Sequence, residues 1–239
     1  MIKIDNLTKT YNDTFVAVDN ISMHIKPGTI VGFIGPNGAG KTTTLNMITG
    51  ILKQDSGTIS INGHDTLSDD INAKREFGFV SDDPNAFLTL KGIEYLNFIA
   101  DVYGIDKETR NQRIEHYSKE LSIEDSLGDK IASYSHGMRQ KIMVIGTLIH
   151  EPNILILDEP LTGLDPHASF VLKQLMKNRA EEGKVVLFST HVLEVAEKLC
   201  DQIIIINHGH ILYTGTLQAL KEKYPESSLE EIFLEVTKA

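Results

Sequence analysis

Cysteine, basic residues and long apolar runs are all scarce in this chain. The single cysteine, Cys200, cannot form an internal disulfide, which is typical of a reducing compartment such as the cytoplasm. Acidic residues outnumber basic ones by 33 to 23, and the resulting net charge of −10 disfavours a broad contact with a nucleic-acid backbone. The best apolar run, Ile142 to Ile149, is shorter than the ~18 residues of a membrane span. The first ten residues contain polar residues throughout and no apolar stretch of signal-peptide length, so we expect any membrane role to depend on a partner.

The order of apolar patterns predicts the fold class. The chain has 239 residues, 41% of them hydrophobic and 23% charged, as in an ordinary globular protein. Short strands are predicted near the start, a helical pattern runs from about residue 85 to 149, and apolar runs follow at 153–157, 184–189 and 202–207. Helical stretches separate these runs, which is typical of a parallel sheet covered on both faces. The sequence therefore predicts an α/β fold with a mostly parallel sheet and an inserted helical block.

A glycine-rich segment between a predicted strand and a predicted helix indicates a phosphate site. The segment from Gly35 to Thr42, GPNGAGKT, matches G-x-x-x-x-G-K-[ST]. Glycines at these spacings let backbone N–H groups turn toward an oxyanion, and the helix start adds the positive end of its dipole. Lys41 is expected to reach the β- and γ-phosphates of ATP, and the Thr42 hydroxyl to bind Mg²⁺. We therefore predict a P-loop NTPase core with the nucleotide-binding residues Gly35, Asn37, Gly38, Ala39, Gly40, Lys41, Thr42 and Thr43.

A pair of carboxylates follows the predicted strand at 153–157. Asp158 has the position from which a carboxylate orients water on Mg²⁺. Glu159 follows it at the carboxyl end of the strand and is suited to accept a proton from an attacking water. We predict a metal-side role for Asp158 and a catalytic role for Glu159; the alternative is a solvated acidic pair that closes a strand.

A third motif narrows the class of ATPase. The stretch from Ser135 to Gln140, SHGMRQ, resembles the signature of ABC transporter ATP-binding subunits, usually written LSGGQ and aligned here with residues 134–138. The order of motifs also resembles that family. His136 and Met138 depart from its commonest letters, but the form YSHGMRQK resembles a subset of bacterial exporter subunits of the ABC-2 type. The resemblance implies one ABC ATPase domain over residues 1–239. It further implies an N-terminal antiparallel β subdomain, an inserted α-helical subdomain at 83–150 with the signature, and a C-terminal helical tail at 215–239.

The signature has a physical interpretation as an anion site. Ser135 is a good helix N-cap, and Gly137 leaves the first helical N–H groups open. The resemblance implies that Ser135 and Gly137 meet the γ-phosphate of a nucleotide bound by a second subunit. Two subunits then enclose two nucleotides about a two-fold axis. We expect a homodimer, with a heterodimer of related subunits as the alternative.

The resemblance assigns roles to three further side chains. Tyr11 is similar to the aromatic residue that stacks on adenine, although a plain strand-end tyrosine is the alternative. Asp165 is similar to the last residue of a loop that crosses the dimer interface, but N-capping of the next helix would also explain it. His191 is similar to the switch histidine that hydrogen-bonds the γ-phosphate. The predicted catalytic residues are thus Lys41, Glu159 and His191.

One position departs from the family pattern. Where the family has a glutamine after the strand at 77–80, this chain has Asp82. The aspartate keeps an oxygen that can approach Mg²⁺ or its water, but it adds negative charge beside Glu159 and the phosphates. Two interpretations stay open: a metal-side residue, or a cap for the turn that contains Asp83 and Pro84.

Together these features predict a function and its partners. We expect an ATP-hydrolysing subunit that powers a membrane exporter through ATP-driven dimerisation. The expected partners are an integral membrane permease subunit and a second ATP-binding subunit, with no nucleic acid. The expected location is the cytoplasmic face of the cell membrane, with attachment through the permease. The alternatives are an ABC-type ATPase that acts on a non-transport partner such as the ribosome, and a nucleotide sensor without turnover, against which Glu159 and His191 argue.

Overall fold

The structure is a computed structural model that describes residues 1–12, 14–224 and 227–238. The strands are β1 (Ile2–Tyr11), β2 (Phe15–Ile25), β3 (Thr29–Ile34), β4 (Ser56–Ile61), β5 (His64–Asp65), β6 (Phe77–Val80), β7 (Ile154–Leu157), β8 (Val185–Thr190), β9 (Gln202–Asn207) and β10 (His210–Thr216). The helices are α1 (Lys41–Ile48), α2 (Asp70–Glu76), α3 (Gly92–Val102), α4 (Lys107–Glu120), α5 (His136–Leu148), α6 (Pro166–Glu181), α7 (Leu193–Leu199), α8 (Leu217–Lys223) and α9 (Leu229–Lys238).

The strands form two sheets. The smaller has the order β2-β1-β4-β5 and is antiparallel throughout. The larger has the order β10-β9-β3-β8-β7-β6, and its strands are parallel except for β10, which forms an antiparallel hairpin with β9. The predicted α/β fold is therefore confirmed, with its mostly parallel sheet, antiparallel N-terminal sheet and helices.

The larger sheet is buried on both faces because its side chains alternate between two apolar cores. In β7, Ile154 and Ile156 pack with α1 and the smaller sheet, whereas Leu155 and Leu157 pack with α3, α4, α5 and α6. All four side chains are at most 1% exposed. This two-residue period is that of a strand covered on both sides.

The segment between β6 and β7 contains α3, α4 and α5 but no strand. Its helices form a layer against one face of the larger sheet, with Leu96, Ala100 and Ile145 fully buried. At the other end of the chain, β10 runs two residues into the predicted tail, and α8 begins only at Leu217. No helix in the described ranges is both long enough and apolar enough to cross a bilayer.

Parallel pairing brings the carboxyl ends of four strands to one edge of the larger sheet. After β3 comes the phosphate loop, after β6 comes Asp82, after β7 the Asp158–Glu159 pair, and after β8 comes His191. Ligands in open α/β sheets bind at this edge. The fold therefore gathers residues that are far apart in the sequence.

Candidate nucleotide site

The loop between β3 and α1 forms an open cradle at the end of the sheet. Gly38 and Gly40 have φ values of +80° and +105°, which side-chain-bearing residues rarely adopt. A β-carbon at Gly40 would lie 2.5 Å from the Ala17 carbonyl oxygen, whereas one at Gly38 would meet nothing within 4 Å. The cradle opens into a pocket of about 250 Å³, whose lining residues are Phe15, Ala17, Asn37, Gly38, Gly40, Lys41, Thr42, Thr43, Asp82 and Glu159.

Lys41 is the cation of this pocket. It begins α1, which has no acidic residue in its first turn, so the positive end of the helix dipole is not neutralised there. The ammonium donates to the carbonyl oxygens of Gly35 at 2.7 Å and Pro36 at 3.2 Å, and it lies 3.7 Å from Oε1 of Glu159. Burial lowers the pKa of Lys41, while the negative charges of Glu159 and Asp158 act in the opposite direction.

Asp158 is the most deeply buried acid of the site. Its side chain is inaccessible to solvent, and burial raises its pKa, against a hydrogen bond from the Ser189 hydroxyl that lowers it. The Ser189 hydroxyl donates to Oδ1 and also accepts from the backbone N–H of Glu159 at 2.9 Å. The other oxygen, Oδ2, has no hydrogen-bond partner among the described residues. A buried carboxylate oxygen without a partner is a natural place for a cation or its water.

Glu159 and His191 form a pair at the mouth of the pocket. Nδ1 of His191 lies 2.9 Å from Oε1 of Glu159, the same oxygen that faces Lys41. Glu159 has φ of +47°, a left-handed conformation that costs energy for a residue with a side chain. Because the histidine is exposed and the glutamate side chain is 18% exposed, a bound nucleotide can reach both.

Asp82 lines the pocket and does not cap the turn. Its negative charge contributes to the raised pKa of Asp158. The turn after β6 is instead held by Asp83, whose Oδ1 accepts from the backbone N–H of Asn85 at 3.0 Å and from its side-chain amide at 2.6 Å. The capping role that the sequence leaves open for Asp82 therefore belongs to its neighbour.

Tyr11 lies at the end of β1, beside the pocket but outside its lining. It pairs across the hairpin with Phe15, the first residue of β2, which does line the pocket. Tyr11 is 37% exposed and Phe15 59%, so both rings are accessible to a planar ligand. Phe15 was not among the predicted site residues, although an aromatic residue four positions after Tyr11, among the predicted short strands, was the available signal.

The signature segment begins α5 on a different surface. Ser135 is the N-cap, and its hydroxyl accepts from the backbone N–H of Met138 at 3.2 Å, as predicted. Ser135 is exposed and Gly137 half-buried. Neither residue lines the phosphate pocket of its own chain. Both remain available to a ligand that approaches from outside the protomer.

Asp165 has two structural partners. Its Oδ1 accepts from the backbone N–H of Ala168 at 2.8 Å, so it caps α6, with Pro166 at the first helical position. Its Oδ2 lies 2.8 Å from Nζ of the buried Lys141, and this hydrogen bond lowers the pKa of Asp165. The N-cap was predicted, whereas the ion pair with α5 was not. The bridging role of Ser189 was missed as well, because a serine near the end of a strand has no distinguishing pattern.

Comparisons with known proteins identify the class. The family profile described as ABC transporter matches residues 18–162. Over 98% of its length the chain is 33% identical to the ABC transporter ATP-binding protein NatA of Bacillus subtilis (strain 168), covering 97% of that protein. It is 32% identical to the Nod factor export ATP-binding protein I of Burkholderia pseudomallei (strain K96243), over 97% of this chain and 76% of that protein.

Solved structures agree with this assignment. The fold matches the ATP-binding subunit of an ABC transporter with a TM-score of 0.93 at 31% identity, over 99% of both chains. It matches the ATP-binding cassette MJ0796, solved as a dimer in a post-hydrolysis state with ADP and Pi, with a TM-score of 0.82 at 29% identity over 91% of this chain and 99% of that one. The chain therefore belongs to the ABC transporter family, within which it is an ATP-binding subunit and an ATPase.

Proposed function

We propose that this chain hydrolyses ATP to power a membrane exporter, and that two copies close around two nucleotides to do so. One observation carries the proposal: the phosphate pocket of one protomer has no lining residue from the signature segment. The signature helix presents its N-cap Ser135 on an exposed surface. The dimeric solved form of the related cassette MJ0796 supports completion of the pocket by a second copy.

The phosphate-binding step falls to the loop between β3 and α1. The triphosphate takes the place of the Gly35 and Pro36 carbonyls and Glu159 around the Lys41 ammonium. The left-handed glycines keep side chains out of the cradle, and the start of α1 contributes its dipole. Gly35, Asn37, Ala39 and Thr43 complete this loop in the proposal, with Tyr11 against the base.

Glu159 is the proposed general base and His191 its partner. A carboxylate that accepts a proton from the attacking water contributes ~10²–10⁴-fold to a rate. The hydrogen bond to Nδ1 of His191 fixes Oε1, and the Ser189 hydroxyl fixes the backbone N–H of Glu159. Lys41 stabilises the negative charge that develops on the transferred phosphoryl group.

The residues beside the pocket fit a bound Mg²⁺. Thr42 supplies a hydroxyl, and Asp158 supplies a buried oxygen without a hydrogen-bond partner among the described residues. When bound, the cation would offset the charge of the acids around it and would stabilise negative charge on the phosphates. We assign Thr42, Asp158 and Asp82 to the metal side, with Asp158 oriented by Ser189.

The dimer requires the signature and the loop before α6 to face a second copy. Ser135 and Gly137 present the open N–H groups of α5, and Asp165 lies next to them through its ion pair with Lys141. ATP contacts both subunits in the closed pair and one subunit in the open state, so nucleotide binding favours closure. A homodimer satisfies these requirements with two equivalent sites.

Export through a permease is the transport role that we propose. The relative described as a Nod factor export ATP-binding protein is an exporter subunit similar over 97% of this chain. We assign residues 83–150 as the helical subdomain that meets the permease and residues 215–239 as a C-terminal tail of the single ATPase domain. The protein would then lie at the cytoplasmic face of the membrane, attached through its partner.

Size-exclusion chromatography tests the dimer. Glu159→Gln removes the base but keeps its shape, so with ATP and Mg²⁺ the variant is expected to elute as a dimer and without nucleotide as a monomer. Lys41→Ala is the matched control, because it removes the phosphate-binding cation and is expected to stay monomeric. An elution volume that ATP does not change at high protein concentration would contradict the dimer model.

Two further measurements test hydrolysis and partner. Wild-type protein is expected to release phosphate from ATP, and Lys41→Ala to abolish this release. Purification of the tagged chain from detergent-solubilised membranes of its host is expected to yield a stoichiometric complex with an integral membrane protein. Co-sedimentation with ribosomes, and no membrane partner, would instead support the non-transport alternative.

A further inference from the structure

The loop between Glu159 and α6 lies directly against the first turn of the signature helix. Gly163, with φ of +77°, is so close that a β-carbon there would sit 2.4 Å from Cδ2 and 3.0 Å from Nε2 of His136. A β-carbon at Gly137 would likewise sit 2.6 Å from the Gly163 carbonyl oxygen. The imidazole therefore packs on the backbone of its own chain's loop.

An ion pair anchors the other end of the same loop to the same helix. Lys141, one and a half turns into α5, places its ammonium 2.8 Å from Oδ2 of Asp165, and its side chain is only 9% exposed. The loop at 161–165 is thus attached to α5 at Gly163 and at Asp165. Movement of the helix start would carry the loop with it.

The loop also bears on the proposed base. The backbone N–H of Thr162 donates to the carbonyl oxygen of Glu159 at 3.1 Å. Glu159 is held at φ of +47°, a conformation that persists only when the surrounding structure enforces it. A change at Gly163 therefore reaches the backbone of Glu159 across a turn of three residues.

We propose that His136 is a positioning residue that couples the start of α5 to Glu159 through Gly163. This inference rests on the proposed dimer, in which the start of α5 meets the nucleotide of the second copy while Glu159 faces the nucleotide of its own chain. The contact then links the occupancy of one site to the placement of the base in the other. His136 acts through its ring on the loop, without contact to the phosphates.

Side-chain shape is what this role requires. Alanine at position 136 removes the ring and leaves space beside Gly163, so the loop loses its support on that side. Phenylalanine keeps a planar ring of similar extent, and it cannot accept a proton or donate a hydrogen bond. The substitutions His136→Ala and His136→Phe therefore separate the contribution of ring packing from that of ring charge and hydrogen bonding.

The first experiment compares His136→Ala and His136→Phe in full-length protein. Steady-state ATP hydrolysis gives kcat and KM, and titration with a fluorescent ATP analogue gives the nucleotide affinity of the protomer. His136→Ala is expected to lower kcat about tenfold while the affinity stays within about twofold, since only the base is displaced. His136→Phe is expected to recover most of kcat. His116→Ala, at an exposed histidine of α4 paired with Glu120, is the control and is expected to behave as wild type.

A double-variant cycle then tests whether the ring and the loop interact. Gly163→Ala puts a methyl group into the space of the imidazole and also strains a left-handed φ, so it is expected to lower kcat about tenfold in the wild-type background. In the H136A background the clash is gone and only the backbone strain remains, so the same change is expected to cost about threefold. Such non-additivity is the evidence that a coupling claim needs.

Several results would overturn the proposal. They are an unchanged kcat in His136→Ala, a failure of His136→Phe to recover activity, or Gly163→Ala effects that are equal in both backgrounds. If Gly163→Ala does not fold, the comparison of the two His136 variants decides alone. Absence of hydrolysis in wild-type protein would count against the proposed function itself. If wild-type protein hydrolyses ATP and Glu159→Gln does not, the proposed function stands, and a negative result with the His136 variants then counts against the coupling alone.

Discussion

We expect acid to destabilise this protein through the partly buried imidazole of His150, at the junction of α5 and β7. Its ring stacks on Tyr103 of the helical segment, with centroids 3.7 Å apart and planes 9° apart. Nε2 lies 3.3 Å from the carbonyl oxygen of Phe77, and Nδ1 is buried without a hydrogen-bond partner in the described part of the chain. Burial lowers the pKa of His150 from 6.5 to about 4, with a smaller contribution from the positive charges of Arg179 and Arg113.

The sign of the effect follows from the two protonation equilibria. In the unfolded chain the imidazole takes up a proton below pH 6.5, whereas in the folded protein His150 stays neutral until about pH 4. The stability from this group is therefore complete above pH 6.5 and is lost progressively as the pH falls to about 4. Because one pKa unit corresponds to ~1.4 kcal/mol, the full loss is ~3 kcal/mol, of which ~2 kcal/mol falls between pH 7 and pH 5.

Urea unfolding of wild type and His150→Gln at pH 7 and pH 5 measures this contribution. The variant is less stable at pH 7 because the stack on Tyr103 is lost. Between the two pH values, wild type is expected to lose ~2 kcal/mol more of its unfolding free energy than the variant does. Carboxylates titrate in both proteins and cancel in the comparison. His116→Gln, at an exposed histidine, is expected to follow wild type. Equal losses in wild type and His150→Gln would refute the assignment of the lowered pKa.

Four further substitutions test the candidate site. Asp158→Asn is expected to abolish ATP hydrolysis. In nucleotide-free protein with chelator, the same change is expected to raise the unfolding free energy by ~1 kcal/mol, because it removes a buried charge. Calorimetry should then show a Tm about 2–4 °C higher. Asp82→Ala is expected to lower the rate of hydrolysis more than the affinity for ATP, and an unchanged rate would reject its metal-side role. For Tyr11→Ala and Phe15→Ala, the affinities for ATP and for inorganic triphosphate are compared. The variant that removes the ring in contact with the base is expected to bind ATP more weakly by ~1–3 kcal/mol and triphosphate as wild type does. Equal losses for both ligands would show that neither ring meets the base.

The fold was predictable from the sequence because its signals are local. Apolar runs in β7, β8 and β9 are bounded by polar residues, and each is followed or preceded by a helical pattern. Glycines at fixed spacings from Lys41 identify the phosphate loop in the sequence. Strand, turn and helix there all depend on neighbours within a few residues, which is why motif and structure agree.

The contacts that orient the site were not predictable in the same way. Ser189 and Asp158 are 31 positions apart and meet only because β7 and β8 pair in parallel register. The ion pair between Lys141 and Asp165 depends on the packing of α5 against the loop before α6. No local pattern marks either pair, since a serine at a strand end and a lysine in a helix are common. The resemblance to ABC ATP-binding subunits predicted the reacting groups but not the side chains that hold them in place.

The arrangement around Lys41 explains how an acidic protein prepares a site for a polyanion. The chain carries a net charge of −10, yet Lys41 is only 6% exposed, and its ammonium contacts two carbonyl oxygens and Glu159. A phosphate oxygen can replace the two carbonyl contacts with stronger, charge-assisted bonds, and it can take the place of the Glu159 carboxylate, which lies 3.7 Å from the ammonium. Displacement of Glu159 from Lys41 leaves its Oε1 with His191 as its remaining partner, 2.9 Å away. Binding of the nucleotide would thus free the carboxylate for the task that hydrolysis requires.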